Sequence, residues 1–309
     1  MVHPAHSHAL TSAGIDDPEL RASYQLCRQL AAEHGKTYYL ATWLLPPAKR
    51  PHVWALYGFA RWADEFVDSM THPDPEGLLV WGKQALDDLV RGQSDDPVVK
   101  ATAHTVRSLD LDVELFETFL ASMRMDITVT AYPTFAELQR YTRGSAMVIG
   151  LMMLPVLGPL TTEAAAPAEA LGEAFQLTNF IRDVPEDLAR GRIYLPQEDL
   201  DRYGVTRADL VRGVVTEPVR RLLAFEVDRT RALYERARPG VALVEPASRP
   251  CLRTAIELYG GILDEVERAG YDVFRSRLAV PNRRRASVAV PAWVSSLRAR
   301  RDAARWRQT

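Results

Sequence analysis

The chain has 309 residues, of which 47% are hydrophobic and 25% are charged, and its formal net charge is −2. This length and composition predict a soluble globular protein with a sizeable core. The two cysteines, Cys27 and Cys251, give no disulfide framework and no metal-ligand spacing, so we expect reduced thiols in a cytoplasmic protein. The longest apolar run, residues 146–160, is too short and too interrupted to span a membrane.

The first fifteen residues lack the apolar run of a signal peptide. They contain His3, His6 and His8, which could bind a metal weakly, but we expect residues 1–15 to be a disordered terminus. No long Gly/Ser or Pro-rich linker divides the rest of the chain. We therefore predict one large domain over residues 16–274 and an appendage over residues 275–309.

Most of that domain has the apolar spacing of helices, and strand-like alternation is brief, over residues 127–131. The pattern predicts an all-α protein. Apolar residues recur at three- and four-residue spacing in residues 20–30, 53–67, 78–90, 99–109, 113–125, 135–141, 168–181, 219–233 and 252–269.

An acidic stripe lies in the predicted helix over residues 55–68. At about 100° per residue, one face carries a tyrosine, an arginine and two aspartates: Tyr57, Arg61, Asp64 and Asp68. A single pair such as Arg61–Glu65 usually marks a solvated face. Here the neighbouring residues are mostly aromatic and aliphatic, so a purely solvated face fits less well.

A second stripe with the same geometry follows over residues 176–187. It consists of Gln176, Asn179, Asp183 and Asp187, with Arg182 one residue away. The flanking residues are again apolar. Two such stripes on separate helices could face each other across a cavity.

The chemistry of these side chains indicates a substrate class. Facing carboxylates in a low-dielectric pocket repel each other and require cations, and oxygen ligands suit Mg²⁺ or Mn²⁺ rather than zinc. Arg61 and Arg182 can clamp phosphate oxygens. Together with an apolar wall, these groups indicate a substrate that has a diphosphate head and a hydrocarbon tail. A di-iron bundle is set aside, because no histidine follows a glutamate by three residues.

The carboxyl-terminal stretch is strongly basic. Residues 275–309 contain ten arginines and one acid, a formal charge of +9, which leaves −11 for residues 1–274. Three interpretations remain open: a solvated, partly disordered end, attraction to anionic lipid, or nucleic-acid binding, which ranks last because the body is acidic. Val294, Leu297 and Trp306 among the arginines would allow a short amphipathic helix.

Four sequence blocks resemble the phytoene/squalene synthase family, and the resemblance covers about residues 20–275. The first two are His34-Gly-Lys-Thr-Tyr-Tyr with Leu44-Leu-Pro-Pro, and Leu56-Tyr-Gly-Phe-Ala-Arg-Trp-Ala-Asp-Glu-Phe-Val-Asp. The other two are Tyr141-Thr-Arg-Gly-Ser-Ala-Met-Val-Ile-Gly and the long run from Gly172 to Pro196. The last two blocks look more like bacterial phytoene synthases than squalene synthases.

The resemblance implies a class I isoprenoid synthase fold, a single helical bundle around a central cavity. It implies Asp64 and Asp68 as magnesium ligands on one side, and Asn179, Asp183 and Asp187 as ligands or ligand supports on the other. It also implies substrate contacts by five residues: Tyr57, Arg61, Gln176, Arg182 and Thr37. Two tyrosines are implied near the reacting carbons, Tyr141 and Tyr259.

Two departures from the family pattern stand out. Pro185 replaces a common glycine, so we expect a kink between Asp183 and Asp187, which makes Asp187 the less secure ligand. Gly35 and Thr37 stand where relatives often have serine. One phosphate-binding hydroxyl would then be absent.

The implied reaction is head-to-head (1′-1) condensation of two geranylgeranyl diphosphates to phytoene through a cyclopropyl diphosphate. The proton acceptor is left open between the released diphosphate and a tyrosine hydroxyl. No dinucleotide fingerprint is visible, so we expect no NADPH. Three alternatives remain: a squalene or dehydrosqualene synthase using two farnesyl diphosphates, a non-catalytic binding or assembly relative, and a peripheral membrane adaptor acting through the arginine-rich tail.

Overall fold

The computed structural model describes residues 4–68 and 74–306, and the side chains of these except at positions 4, 36, 37, 68 and 301–306. Sixteen α-helices follow one another within the described residues. They are α1 (Pro4–Ser12), α2 (Pro18–His34), α3 (Lys36–Thr42), α4 (Arg50–Asp68), α5 (Pro75–Arg91), α6 (Pro97–Leu109), α7 (Val113–Thr128), α8 (Phe135–Thr142), α9 (Val148–Leu157), α10 (Ala165–Arg182), α11 (Val184–Ala189), α12 (Gln197–Tyr203), α13 (Arg207–Val211), α14 (Glu217–Ala237), α15 (Arg249–Arg268) and α16 (Asn282–Trp306).

The all-α prediction is confirmed. Within the described residues, β pairing is limited to two isolated bridges, Ala131 with Ile193 and Pro159 with Val244. A π-helical turn, Arg143–Met147, joins α8 to α9, and such turns are frequent at functional sites. No helix within residues 4–68 and 74–306 has the length and apolar composition that crossing a bilayer requires.

Aspartate–proline pairs define the starts of three helices. Asp17, Asp74 and Asp96 each precede the first helical residue, which is proline in every case. Their carboxylates accept hydrogen bonds from backbone N–H groups of the first turn, at 2.7 Å for Asp17 and 2.8 Å for the other two. The carboxylate pairs with a backbone N–H that would otherwise lack a partner. Proline costs no hydrogen bond at the first helical position, because an N–H there would have no acceptor within the helix.

Two hydrophobic clusters form the body of the protein. One is built largely from α2, α4, α6 and α7, where Phe59 meets Phe116 edge-on at 5.1 Å between ring centroids. The other is built largely from α10, α14 and α15, where Leu223, Val227 and Leu263 are completely buried. The first acidic stripe belongs to α4 and the second to α10 and α11, so each cluster carries one of them.

Two motif glycines bring α9 and α10 together. A Cβ atom at Gly150 would lie 2.2 Å from the carbonyl oxygen of Ala168, and one at Gly172 would lie 2.3 Å from that of Ala146. Both contacts are with backbone, so any larger residue would push the helices apart. These glycines set the position of α10, the helix that carries the second stripe.

The amino terminus differs from the expected disorder. Residues Pro4–Ser12 form α1, and Leu10 and Ile15 are buried in the cluster around α2 and α4. The ring of His6 packs 5.5 Å from that of Trp43. Burial of a few apolar side chains against distant helices orders this segment, although it lacks a long apolar run.

The carboxyl terminus also differs from the predicted appendage with a short helix. Helix α16 is 25 residues long and packs against α15. Arg284 donates to Asp264 at 2.5 Å. Arg300 donates to three carbonyl oxygens at the end of α3, those of Trp43, Leu44 and Leu45, at 3.1, 2.9 and 2.8 Å. Long-range bonds therefore attach this segment to the domain.

A buried polar network joins α2, α4 and α6. Tyr24 hydrogen-bonds with His104 at 2.9 Å and with Thr105 at 2.8 Å, and His52 Nδ1 lies 3.1 Å from Thr105 Oγ1. Burial, with smaller contributions from the neighbouring His104 and Lys49, lowers the pKa of His52 to about 4. The folded protein therefore holds His52 neutral.

We predict that this histidine makes the fold acid-sensitive. The pKa of His52 in the unfolded state is near 6.5, so above that pH its burial does not lower the free energy of unfolding. As pH falls from 6.5 towards 4, the unfolded state binds a proton that the folded state does not, and the free energy of unfolding falls by at most roughly 3 kcal/mol. Urea unfolding at several pH values should show a shallower pH dependence in His52→Gln than in the wild type. The exposed His8 offers the control, since His8→Gln should keep the wild-type slope. Equal slopes for wild type and His52→Gln would contradict the prediction.

Candidate active site

A cavity of about 720 Å³ lies where the two acidic stripes meet. Its wall contains ten of the residues that the sequence singled out: Tyr57, Arg61, Asp64, Tyr141, Gln176, Asn179, Arg182, Asp183, Asp187 and Tyr259. The predicted meeting of two stripes in one cavity is therefore observed. The side chains of Thr37 and Asp68, also predicted site residues, lie outside the described residues.

Helix α4 supplies one charged part of the wall. Arg61 donates from Nη1 to Asp64 Oδ2 at 2.5 Å, and its Nη2 pairs with Glu65. The solvated pair considered from the sequence therefore forms, but Arg61 bonds with the stripe residue Asp64 as well. Burial raises the pKa of Tyr57 to about 12, so its hydroxyl stays protonated and can donate a hydrogen bond.

The opposite wall contains a helix break. Helix α10 ends at Arg182 and α11 begins at Val184, with Asp183 between them at φ −101° and ψ 17°. The kink expected from Pro185 is thus a break that begins at Asp183, and the proline occupies the first turn of α11. Asp187 nevertheless lines the cavity, so the break does not remove it from the stripe.

Asp183 is held by two arginines. Arg182 Nε donates to Oδ1 at 2.7 Å, and Arg277 donates from Nε to Oδ1 and from Nη2 to Oδ2, both at 2.9 Å. Burial disfavours the charged carboxylate, but the hydrogen bonds and charges of Arg182 and Arg277 outweigh it and hold the pKa of Asp183 below its usual value. The Arg277 side chain is 61% exposed, whereas that of Arg182 is 12% exposed.

Asn179 presents an unused acceptor between these groups. Its Oδ1 atom is buried and has no hydrogen-bond partner among the described residues. With Asp64, Asp183 and Asp187 it forms an all-oxygen donor set, which fits Mg²⁺ or Mn²⁺. Among the described side chains, no three His, Cys, Asp or Glu residues lie close enough together to hold one ion. Mg²⁺ usually keeps several waters and shares phosphate oxygens, so a site for it needs few protein ligands.

A third part of the wall was missed by the sequence analysis. Asp126, near the end of α7, accepts hydrogen bonds from the hydroxyls of Tyr141 at 2.6 Å and Tyr194 at 2.9 Å. Arg192 donates to the backbone carbonyl of Asp126 at 2.9 Å. Arg192 and Tyr194 lie inside the fourth sequence block, but Asp126 has no partner at helical spacing that would have marked it.

Aromatic rings form another part of the wall. Tyr259 stacks on Tyr38 at 4.7 Å and packs against Phe175 at 4.5 Å between ring centroids. Phe180 stacks on Tyr194 at 4.1 Å. One cavity thus combines carboxylates and arginines with an aromatic wall, which suits a substrate that has a diphosphate and a hydrocarbon chain.

Comparison with known proteins agrees with the family resemblance of the four sequence blocks. The family model "Squalene/phytoene synthase" matches residues 31–284. The 15-cis-phytoene synthase of Synechocystis sp. is 40% identical over 286 residues, which cover 88% of this chain and 85% of that protein. The phytoene synthase of Arthrospira platensis is 42% identical over 274 residues, covering 84% of this chain and 88% of that protein.

Solved structures share the architecture. A dehydrosqualene synthase in complex with a ligand is 29% identical, with a TM-score of 0.83 and coverage of 89% of this chain and 96% of that one. The squalene synthase HpnC from Alicyclobacillus acidocaldarius is 31% identical, with a TM-score of 0.76 and coverage of 84% and 98%. The isoprenoid synthase fold expected from the sequence is confirmed.

Proposed function

The chain belongs to the squalene/phytoene synthase family, and on that basis we propose that it is a prenyltransferase that joins two geranylgeranyl diphosphates head to head to form phytoene. The observation that carries the proposal is the cavity in which two acidic stripes and six arginines meet aromatic side chains. The relatives named phytoene synthase, at 40% and 42% identity, favour this product over squalene or dehydrosqualene.

The charged end of the cavity would bind the diphosphates. Arg61, Arg182 and Arg277 can donate paired hydrogen bonds to phosphate oxygens, and Gln176 and Tyr57 can add single donors. Charge builds on the departing diphosphate as its C–O bond breaks, so donors fixed around it lower the barrier to ionisation. Thr37 on α3 remains a proposed substrate contact.

Members of this family depend on a divalent metal, and we propose Asp64, Asp68, Asn179, Asp183 and Asp187 as the residues that would hold Mg²⁺, or Mn²⁺ in its place. When bound, the ion supplies positive charge to the diphosphate and makes it a better leaving group. The buried, unpartnered Oδ1 of Asn179 supports this assignment.

The aromatic wall would protect the carbocations. The rings of Tyr38 and Tyr259 line the cavity, with Phe175 packed against Tyr259, and their π faces would attract positive charge. Forming phytoene consumes no reductant, so no NADPH enters the proposed reaction.

We propose a direct test of the substrate. Purified protein with Mg²⁺ and geranylgeranyl diphosphate should yield a C40 hydrocarbon, resolved by chain length after extraction. Asp64→Asn should reduce product formation at least about 10²-fold, because a neutral amide would hold Mg²⁺ less tightly against the leaving diphosphate. Turnover of farnesyl diphosphate alone would indicate squalene or dehydrosqualene formation, and unchanged activity in Asp64→Asn would favour a non-catalytic relative.

Arg277 should compete with the metal for Asp183. Both oxygens of Asp183 accept hydrogen bonds from Arg277, so a cation must displace that exposed side chain. Arg277→Gln should therefore bind Mn²⁺ about two- to five-fold more tightly in the absence of substrate, as measured by EPR titration. Arg275→Gln, an exposed change on the same segment, should leave Mn²⁺ affinity as in the wild type. Unchanged affinity in Arg277→Gln would refute the competition.

We also propose that the protein is cytoplasmic and makes a peripheral membrane contact. The exposed face of helix α16 favours this contact. The helix exposes Val290, Trp293 and Val294 along one face, with exposed arginines at 283 and 298. An apolar face flanked by arginines suits the surface of an anionic bilayer.

Vesicle sedimentation tests this contact. Trp293→Ser should lower the fraction bound to vesicles containing anionic lipid, since that side chain is 55% exposed and apolar. Val80→Ser on α5, at a residue that is 73% exposed, is the matched control and should bind as the wild type does. Equal binding of all three proteins would place the contact elsewhere or eliminate it.

A further inference from the structure

Asp126 is a buried carboxylate in the cavity wall. It is 8% exposed, lies near the end of α7 and belongs to neither acidic stripe. Each of its carboxylate oxygens accepts a hydrogen bond from a tyrosine hydroxyl, Oδ2 from Tyr141 and Oδ1 from Tyr194. Both tyrosines line the cavity as Asp126 does, so the carboxylate and the two hydroxyls that bond to it share one part of the wall.

The position of Tyr141 is fixed from several sides. Its ring packs 5.5 Å from Tyr194 and 5.6 Å from Tyr132, and its backbone carbonyl accepts a hydrogen bond from Ser122 at 3.0 Å. Such packing leaves the Tyr141 hydroxyl one orientation, towards Asp126 Oδ2 at 2.6 Å. That distance is short for an O–H···O bond, as is typical when the acceptor is charged.

This arrangement solves a chemical problem of the proposed reaction. A carboxylate oxygen can bond to a carbocation and form an ester, whereas hydrogen bonds from Tyr141 and Tyr194 make the Asp126 oxygens less nucleophilic towards carbon and supply a route for a proton. Burial and the Asp126 charge raise the pKa of Tyr141 well above its usual value, so this phenol does not lose its proton to solvent. It can pass that proton to Asp126 while it takes another from carbon.

We propose that Asp126, acting through the hydroxyl of Tyr141, receives the proton released when the cyclopropane ring closes, an inference that rests on the proposed function. C1 of the first substrate has just bonded to C2 of the second, which leaves the positive charge on C3. The C1–H bond then breaks, and its electron pair forms the C1–C3 bond. The proton goes to Tyr141 Oη, and the original Tyr141 proton goes to Asp126 Oδ2.

In this scheme Asp126 is a positioning residue and proton acceptor that acts through Tyr141, and Tyr141 is the catalytic residue. The proposed route passes no proton through Tyr194, which bonds to the other oxygen of the same carboxylate. This difference between two tyrosines on one carboxylate supplies a matched control within the site.

The test compares turnover in Asp126→Asn, Tyr141→Phe, the double variant and Tyr194→Phe. The first two should each lower kcat about 10²- to 10⁴-fold, as expected for loss of positioned proton transfer, and the double variant should be no worse than the poorer single variant. Tyr194→Phe should lose much less. All four should bind a non-ionisable thiolodiphosphate analogue of the substrate as the wild type does.

An isotope effect separates proton transfer from a structural role. With substrate deuterated at C1, the primary isotope effect on kcat should rise in Asp126→Asn and Tyr141→Phe, because C–H cleavage becomes slower than ionisation. Wild-type kcat in Asp126→Asn, an unchanged isotope effect, or full additivity in the double variant would overturn the inference. Should Asp126→Asn not fold, Tyr141→Phe with the labelled substrate gives the decisive isotope effect. Absence of any hydrocarbon product from the wild type would refute the proposed function instead.

Discussion

The charged end of the cavity obeys one electrostatic constraint: carboxylates cannot face one another in a space of low dielectric without cations between them. Arginine meets that requirement here. Arg61 pairs with Asp64, and Arg182 and Arg277 together occupy both oxygens of Asp183. The same guanidinium groups match phosphate geometry, so neutralising the site and preparing it for an anionic substrate are one arrangement.

The rest of the architecture positions this pairing. Gly150 and Gly172 let α9 and α10 approach closely, which sets the axis along which Gln176, Asn179 and Arg182 reach the cavity. The break at Asp183 then changes the direction of the chain without removing Asp187 from the wall. Helix packing therefore determines where the charges lie.

Local periodicity predicted much of the fold and the site. Residues at positions i, i+4 and i+7 share a helix face, so the helical repeat alone is enough to assign Tyr57, Arg61 and Asp64 to one wall. Asp126 could not be assigned in this way, because its partners Tyr141 and Tyr194 are 15 and 68 residues away. Arg277 is one of ten arginines in its stretch, and its bond to Asp183 spans 94 residues. The order of α1 and α16 likewise depends on long-range contacts that no local pattern contains.

The position of Arg277 in the chain also has a consequence for biosynthesis. Translation delivers both acidic stripes long before it delivers this arginine and the segment up to Arg285, which complete the cavity wall. A nascent chain that has reached α15 therefore has Asp183 without one of its two guanidinium partners. This part of the cavity wall can therefore form only after α15 has been synthesised, and a chain without residues 277–285 leaves the carboxylates of the cavity with fewer guanidinium partners.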